Sequence, residues 1–197
     1  MKKIIFIVAS LAVAGVVTSV QAAVSVPYGW YLEANLGKSV SSDKSLPGSV
    51  KHTGLGESAN FGYKFSTYVA GEVGYTHYAN TRIQAPNGAN VAKDRHYSYD
   101  LAGKLMLPIG TSGIEVFGKA GVGRLNSNVT VTNAALAASS GYAFNSGTHS
   151  ANGLLLGAGA DYAIIPNLLV NAQWVRQQGS RNTGDMDLYS LGLAYIF

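Results

Sequence analysis

Apolar and polar side chains alternate with a period of two along most of this chain, the mark of strands that present one apolar and one polar face. The last run is the cleanest: Tyr189, Leu191, Leu193, Tyr195 and Phe197 share one face, and Ser190, Gly192, Ala194 and Ile196 the other. An earlier run repeats it, with Tyr97, Tyr99, Leu101, Leu105 and Leu107 against His96, Ser98, Asp100, Lys104 and Met106. Six further strands are predicted near 29–38, 56–65, 67–79, 114–125, 152–164 and 168–178. In these, Trp30, Leu32, Phe61, Val73, Val116, Leu154 and Val170 oppose Tyr31, Glu33, Asn60, Glu72, Glu115, Asp161 and Asn171.

The polar face decides which way the sheet points. It carries Glu33, Lys64, Glu72, Asp100, Lys104, Glu115, Lys119 and Asp161 near mid-strand, while large apolar side chains fill the opposite face of every strand. No helix or second sheet is predicted to cover that apolar face. Lipid outside and a small polar interior satisfy both faces, which predicts an all-β, eight-stranded antiparallel up-and-down transmembrane barrel. The connections fit: those near 65–67, 110–113 and 165–167 are tight, while those at 39–53, 80–94, 126–150 and 179–186 are long and polar, giving a short-turn rim and a long-loop rim. Aromatic residues sit at the strand ends, with Trp30, Phe65, Tyr162, Tyr195 and Phe197 towards one interface and Tyr75, Tyr97, Trp174 and Tyr189 towards the other. An eight-stranded interior is just wide enough for side chains to fill, which weighs against a wide pore.

Composition adds the compartment. Lys2 and Lys3, the apolar stretch 4–17 and the small-residue site ending at Ala22 predict a secretory signal peptide over 1–22 and a barrel domain over 23–197. Lys and Arg number 14 against 10 Asp and Glu, so loss of Lys2 and Lys3 leaves 12 against 10, a net charge of +2. That balance, without a basic cluster, gives no reason to expect nucleic acid. Cysteine is absent, which excludes a disulfide scaffold or a lipidated cysteine anchor. Beyond the first 22 residues no apolar run approaches the length of a membrane helix.

Candidate chemistry is sparse. His52, His77, His96 and His149 are expected in loops and at the rims. The pair His149 and Ser150 is adjacent in sequence, so on a strand its side chains point to opposite faces and share no site. Glu33, Glu72, Asp100 and Asp161 are spread over separate strands and interleaved with lysine, a pattern expected for an internal charge network and not for a metal centre. If Ile109 pairs with Ile114, Lys104 falls opposite Lys119. Like charges so placed repel, so a shared cluster of Glu33, Glu72, Asp100, Glu115 and Asp161 is expected to hold them. The glycines of 118–123 lack the following helix and lysine of a phosphate loop. The apolar residues within 132–144 are expected either to cap the mouth or to meet a partner. No cofactor is expected.

The segments Gly29–Gly37, Glu72–Tyr75, Lys119–Gly123, Gly157–Tyr162 and Leu191–Phe197 together resemble the small eight-stranded outer-membrane barrels typified by the OmpA transmembrane domain. The resemblance implies residence in the outer membrane, in contact with its lipid. It implies an assembly signal in the terminal strand, carried by Leu191, Leu193, Tyr195 and Phe197, that is read by the barrel-insertion machinery after escort by periplasmic chaperones. It also implies an extracellular ligand for the loops 39–53, 80–94, 126–150 and 179–186, in adhesion or contact with a host or environment. The chain stops at Phe197, so the peptidoglycan-binding domain of OmpA, and with it cell-wall tethering, is not carried over. The expected function is a non-enzymatic structural one. A small-solute pore and a lipid-modifying enzyme stand as alternatives.

Overall fold

The computed structural model describes residues 26–42, 51–84, 90–131, 147–180 and 183–197. Its strands are β1 (Gly29–Ser42), β2 (Lys51–Lys64), β3 (Val69–His77), β4 (Thr81–Gln84), β5 (Asn90–Pro108), β6 (Ile114–Val131), β7 (Gly147–Ile165), β8 (Leu168–Gln177) and β9 (Asp185–Ile196). All pairings are antiparallel between sequence neighbours, with β1 joined to β9 and β3 to β5. β3 lies against Tyr97–Leu105 and β4 against Asn90–Asp94 of the same strand, so β3 and β4 are two segments of one stave. The result is a closed barrel of eight staves, and closure leaves no sheet edge to be satisfied in lipid.

Register fixes the barrel's girth. Residues in register run from Gly29 through Lys64, Ala70, Lys104, Lys119, Gly157, Val175 and Leu188 back to Ser39, ten positions further along β1 (39 − 29). With eight staves this shear sets a strand tilt of about 40° and a narrow interior.

The faces lie as the alternation predicts. Leu36, Leu101, Leu105, Leu154, Leu191 and Leu193 are exposed on the outside, Leu191 at 70%, whereas the inward Glu33, Lys64, Glu72, Lys104, Lys119 and Asp161 are each 5% exposed or less. An apolar exterior wrapped around a charged interior inverts the arrangement of a protein that folds in water, and it suits lipid.

The strands are longer than the alternation predicts. β1, β2, β4, β5, β6, β7 and β9 take over parts of the expected loops at 39–53, 80–94, 126–150 and 179–186, and the expected loop pair His149 and Ser150 lies within β7. The reason is physical. Beyond the bilayer the outward face no longer meets lipid, so the alternation fades while the hydrogen-bond ladder continues. The expected signal peptide, the segment 132–144 and the loop tips at 43–50, 85–89 and 181–182 lie outside the described residues.

At the short-turn end Ile109 donates to the carbonyl of Ile114 at 2.8 Å, and the Ser112 hydroxyl donates to the Ile109 carbonyl at 2.6 Å. Gly110 and Gly113 have φ of 57° and 74°, which other residues adopt only at a cost. This turn sets the β5–β6 register, and that register places Lys104 directly opposite Lys119.

Candidate functional site

The interior is built in layers. At the short-turn end Tyr31, Ala70, Met106, Phe117, Ala163, Leu169, Ala194 and Ile196 form an apolar floor. Towards the long-loop end Tyr78, Leu125, Met186 and Leu188 form a second apolar cluster. Three lysines and five carboxylates are buried in the same lumen. Every one of them alternates with a lipid-facing neighbour, so the phase of each strand delivers its charge inward.

The charges meet across the barrel and not only along it. Lys104 Nζ lies 2.9 Å from Asp161 Oδ2 and 3.7 Å from Glu33 Oε2, and 3.7 Å from the centroid of the Phe117 ring. Lys119 pairs with Glu72, whose Oε2 also accepts the Tyr31 hydroxyl at 2.8 Å. Glu33 Oε1 accepts amide hydrogen bonds from Asn35 at 2.8 Å, Asn60 at 3.0 Å and Gln173 at 2.8 Å. A carboxylate fed by three amides and a nearby ammonium is held in one orientation. The cavity among Tyr31, Glu33, Lys64, Lys104, Glu115 and Asp161 has a volume of about 20 Å³, room for about one water molecule.

Two expected members of the cluster stand apart from its lysine pairings. Glu115 does not serve Lys104 or Lys119. Both of its oxygens lie 2.9 Å from Lys64 Nζ, reached across the lumen from β2. The shear brings β2 and β6 to one level there, which no single strand reveals. Asp100 is buried beside the network but forms no ion pair among the described residues. Lys64, Tyr31, Asn35, Asn60 and Gln173 lie on polar strand faces in the sequence, but nothing local marks them as partners of these charges.

At the outer mouth of the lumen a second polar group forms. The Ser127 hydroxyl donates to Asp94 at 2.8 and 3.0 Å, and His96 Nε2 lies 3.3 Å from Asp94 Oδ2. The hydroxyl keeps its one proton and directs it at the carboxylate, which only accepts. Ser127 is also fully buried.

The terminal strand is positioned by its end. The Phe197 amide donates to the Trp30 carbonyl at 3.0 Å, and the Asn167 amide side chain donates to the Ile196 carbonyl at 2.8 Å. Leu191, Leu193, Tyr195 and Phe197 all face outward, and the rings of Tyr195 and Phe197 stack 6.4 Å apart.

Comparison with known proteins gives the same architecture. The OmpA-like transmembrane domain family matches residues 28–197. Neisserial surface protein A, NspA, superposes with a TM-score of 0.66 at 18% identity, over 86% of this chain and 97% of that one. The outer-membrane protein OprG of Pseudomonas aeruginosa gives 0.62 at 16% identity, over 88% and 98%. Ail, the attachment invasion locus protein of Yersinia pestis, gives 0.54 at 17%, over 86% and 99%. At these identities the likeness is one of fold. A search of curated protein sequences found no match.

Proposed function

The chain belongs to the OmpA-like transmembrane domain family, and we propose that within it this protein is a non-conducting, non-enzymatic barrel of the outer membrane whose activity resides at its outer rim. The observation that carries this reading is the cross-lumen pairing of Lys104 with Asp161 and Glu33, beside Lys119 with Glu72 and Lys64 with Glu115. An ion crossing the barrel has to part these pairs in a poorly hydrated space, which leaves buried charges uncompensated. Apolar layers on either side of the charges add to the barrier.

With the lumen filled, the surface left for function is the long-loop end. In this reading the barrel is exported through a signal peptide cleaved after Ala22, escorted by periplasmic chaperones and inserted by the barrel machinery through its terminal strand. Its loops then meet an extracellular ligand in adhesion or contact with a host or environment. The deciding experiment is single-channel recording of the refolded full barrel in planar bilayers. Silence at insertion levels verified by immunodetection is expected. Reproducible unitary steps from the unaltered protein would overturn the closed-lumen reading and favour the small-solute pore. Binding to host cells with and without shortened loops then tests the role of the rim.

A further inference from the structure

The outward face of β5, β6 and β7 changes character abruptly along its length. Residues in register across these three strands form rows. Leu101, Val122 and Leu154 make one row, and each is more than half exposed. The next row towards the loops is Tyr99, Arg124 and Asn152. Above it come Tyr97, Asn126 and Ser150, then Arg95, Asn128 and Thr148. Hydrocarbon-facing side chains thus give way within one row to arginine, amide and tyrosine, which marks the upper edge of the apolar band.

The cations on the outside of the barrel are asymmetric. Among the residues whose side chains are described, the outward-facing lysines and arginines are Lys38, Arg95, Arg124 and Arg176, and all lie towards the long-loop end. Arg176 has a counter-ion, with its Nη2 3.2 Å from Asp187 Oδ2. Arg95 and Arg124 are exposed and have no carboxylate partner among the described residues. They stand four positions apart on the ladder, a span of about 13 Å at the usual strand rise. Beside them the rings of Tyr75, Tyr97 and Tyr99 cluster with centroids 5.2 to 6.3 Å apart, and Tyr99 is 55% exposed.

We propose that Arg95 and Arg124, with Asn128, Asn152 and the tyrosine faces, form a docking strip for a phosphorylated glycolipid of the outer leaflet. Each element matches part of such a headgroup. A guanidinium pairs with phosphate oxygens through two parallel hydrogen bonds. Exposed amides hydrogen-bond sugar hydroxyls. Amphipathic tyrosines rest at the headgroup boundary. The spacing of the two arginines suits a disaccharide phosphorylated at both ends, with its acyl chains lying down over Leu101, Val122 and Leu154. This inference rests on the apolar band facing lipid. It does not depend on whether the lumen conducts.

The test is native mass spectrometry of the refolded full barrel in detergent, titrated with purified lipid A, with enzymatically dephosphorylated lipid A and with phosphatidylglycerol. The intact protein should retain lipid A about tenfold or more better than either of the other two. In the double variant Arg95→Gln/Arg124→Gln that preference should disappear, while Lys38→Gln should keep it. Retention of the dephosphorylated lipid equal to that of lipid A would overturn the proposal, as would equal retention of phosphatidylglycerol, which would reveal only a general attraction for anions. Unchanged lipid A retention in the double variant would also overturn it. The comparison of the three lipids uses the unaltered barrel, so it decides the matter even if the double variant fails to refold. Channel recordings read the lumen separately.

Discussion

Lys104 and Lys119 face each other across the β5–β6 ladder, yet their ammonium groups turn to different acids on different strands. Lys104 reaches Asp161 on β7 and Glu33 on β1, whereas Lys119 reaches Glu72 on β3. Two like charges directly opposed destabilise a strand pair. Here each is instead half of a cross-lumen pair, and the pairs tie together strands that share no backbone hydrogen bonds. Stability should therefore respond to these pairs as units.

Removal of one partner should cost more than removal of both. Lys104→Met leaves Asp161 and Glu33 buried without their cation and is expected to destabilise the barrel by about 3–5 kcal/mol. The double variant Lys104→Met/Asp161→Leu should recover part of that loss. Reversible urea unfolding in phospholipid vesicles measures both, and strictly additive costs would show that the two residues are not coupled.

The lipid face should reject charge according to depth. Leu193→Arg and Leu105→Arg, with exposed apolar side chains above and below each on the outer face, are expected to cost about 2–4 kcal/mol. Asn152→Arg, at the polar edge, should cost about 0–1 kcal/mol in the same assay. Equal costs at all three positions would mean that the apolar band is not the hydrocarbon zone.

The interior should reject volume where the outside accepts it. A Cβ added at Gly192 would collide with the Asn35 side chain and the Ala34 carbonyl. Gly192→Val is therefore expected to destabilise by about 1–3 kcal/mol, the usual range for overpacking. Gly118 has nothing within 4 Å of such a Cβ, so Gly118→Val should be nearly neutral or mildly stabilising. The same unfolding measurement separates the two.

Phe197 should matter to assembly more than to the finished fold. Its amide closes on Trp30, but its ring lies on the outside against Tyr195. Phe197→Ala keeps the backbone bond, so the heat-resistant, protease-resistant barrel should still form. Insertion catalysed by the barrel machinery in proteoliposomes should be markedly slower than for the unaltered protein, while spontaneous folding in detergent changes little. Equal slowing in both would make the residue a folding determinant and not a recognition signal.

The sequence by itself determined the number of staves, the face each side chain takes and the inversion of apolar outside and charged inside. These follow from a period of two, which is local: the pleat sends residue i and residue i+2 the same way whatever else the chain does. Leu191 and Gly192, or Leu105 and Lys104, could be assigned from their neighbours alone. The tertiary structure decided which charges meet. Lys64 with Glu115 and Lys104 with Glu33 join strands that are not neighbours, and their levels are set by the ten-residue shear accumulated around the whole ring. The structure also decided where strands end, since β4 and the outer ends of β5, β6 and β7 are held by ladder hydrogen bonds beyond the apolar band, where lipid no longer requires an apolar outer face. The grouping of Asp94, His96 and Ser127, and the rows that align Arg124 with Tyr99 and Asn152, arise in the same way. Register across strands is a property of closure, and no single strand carries it.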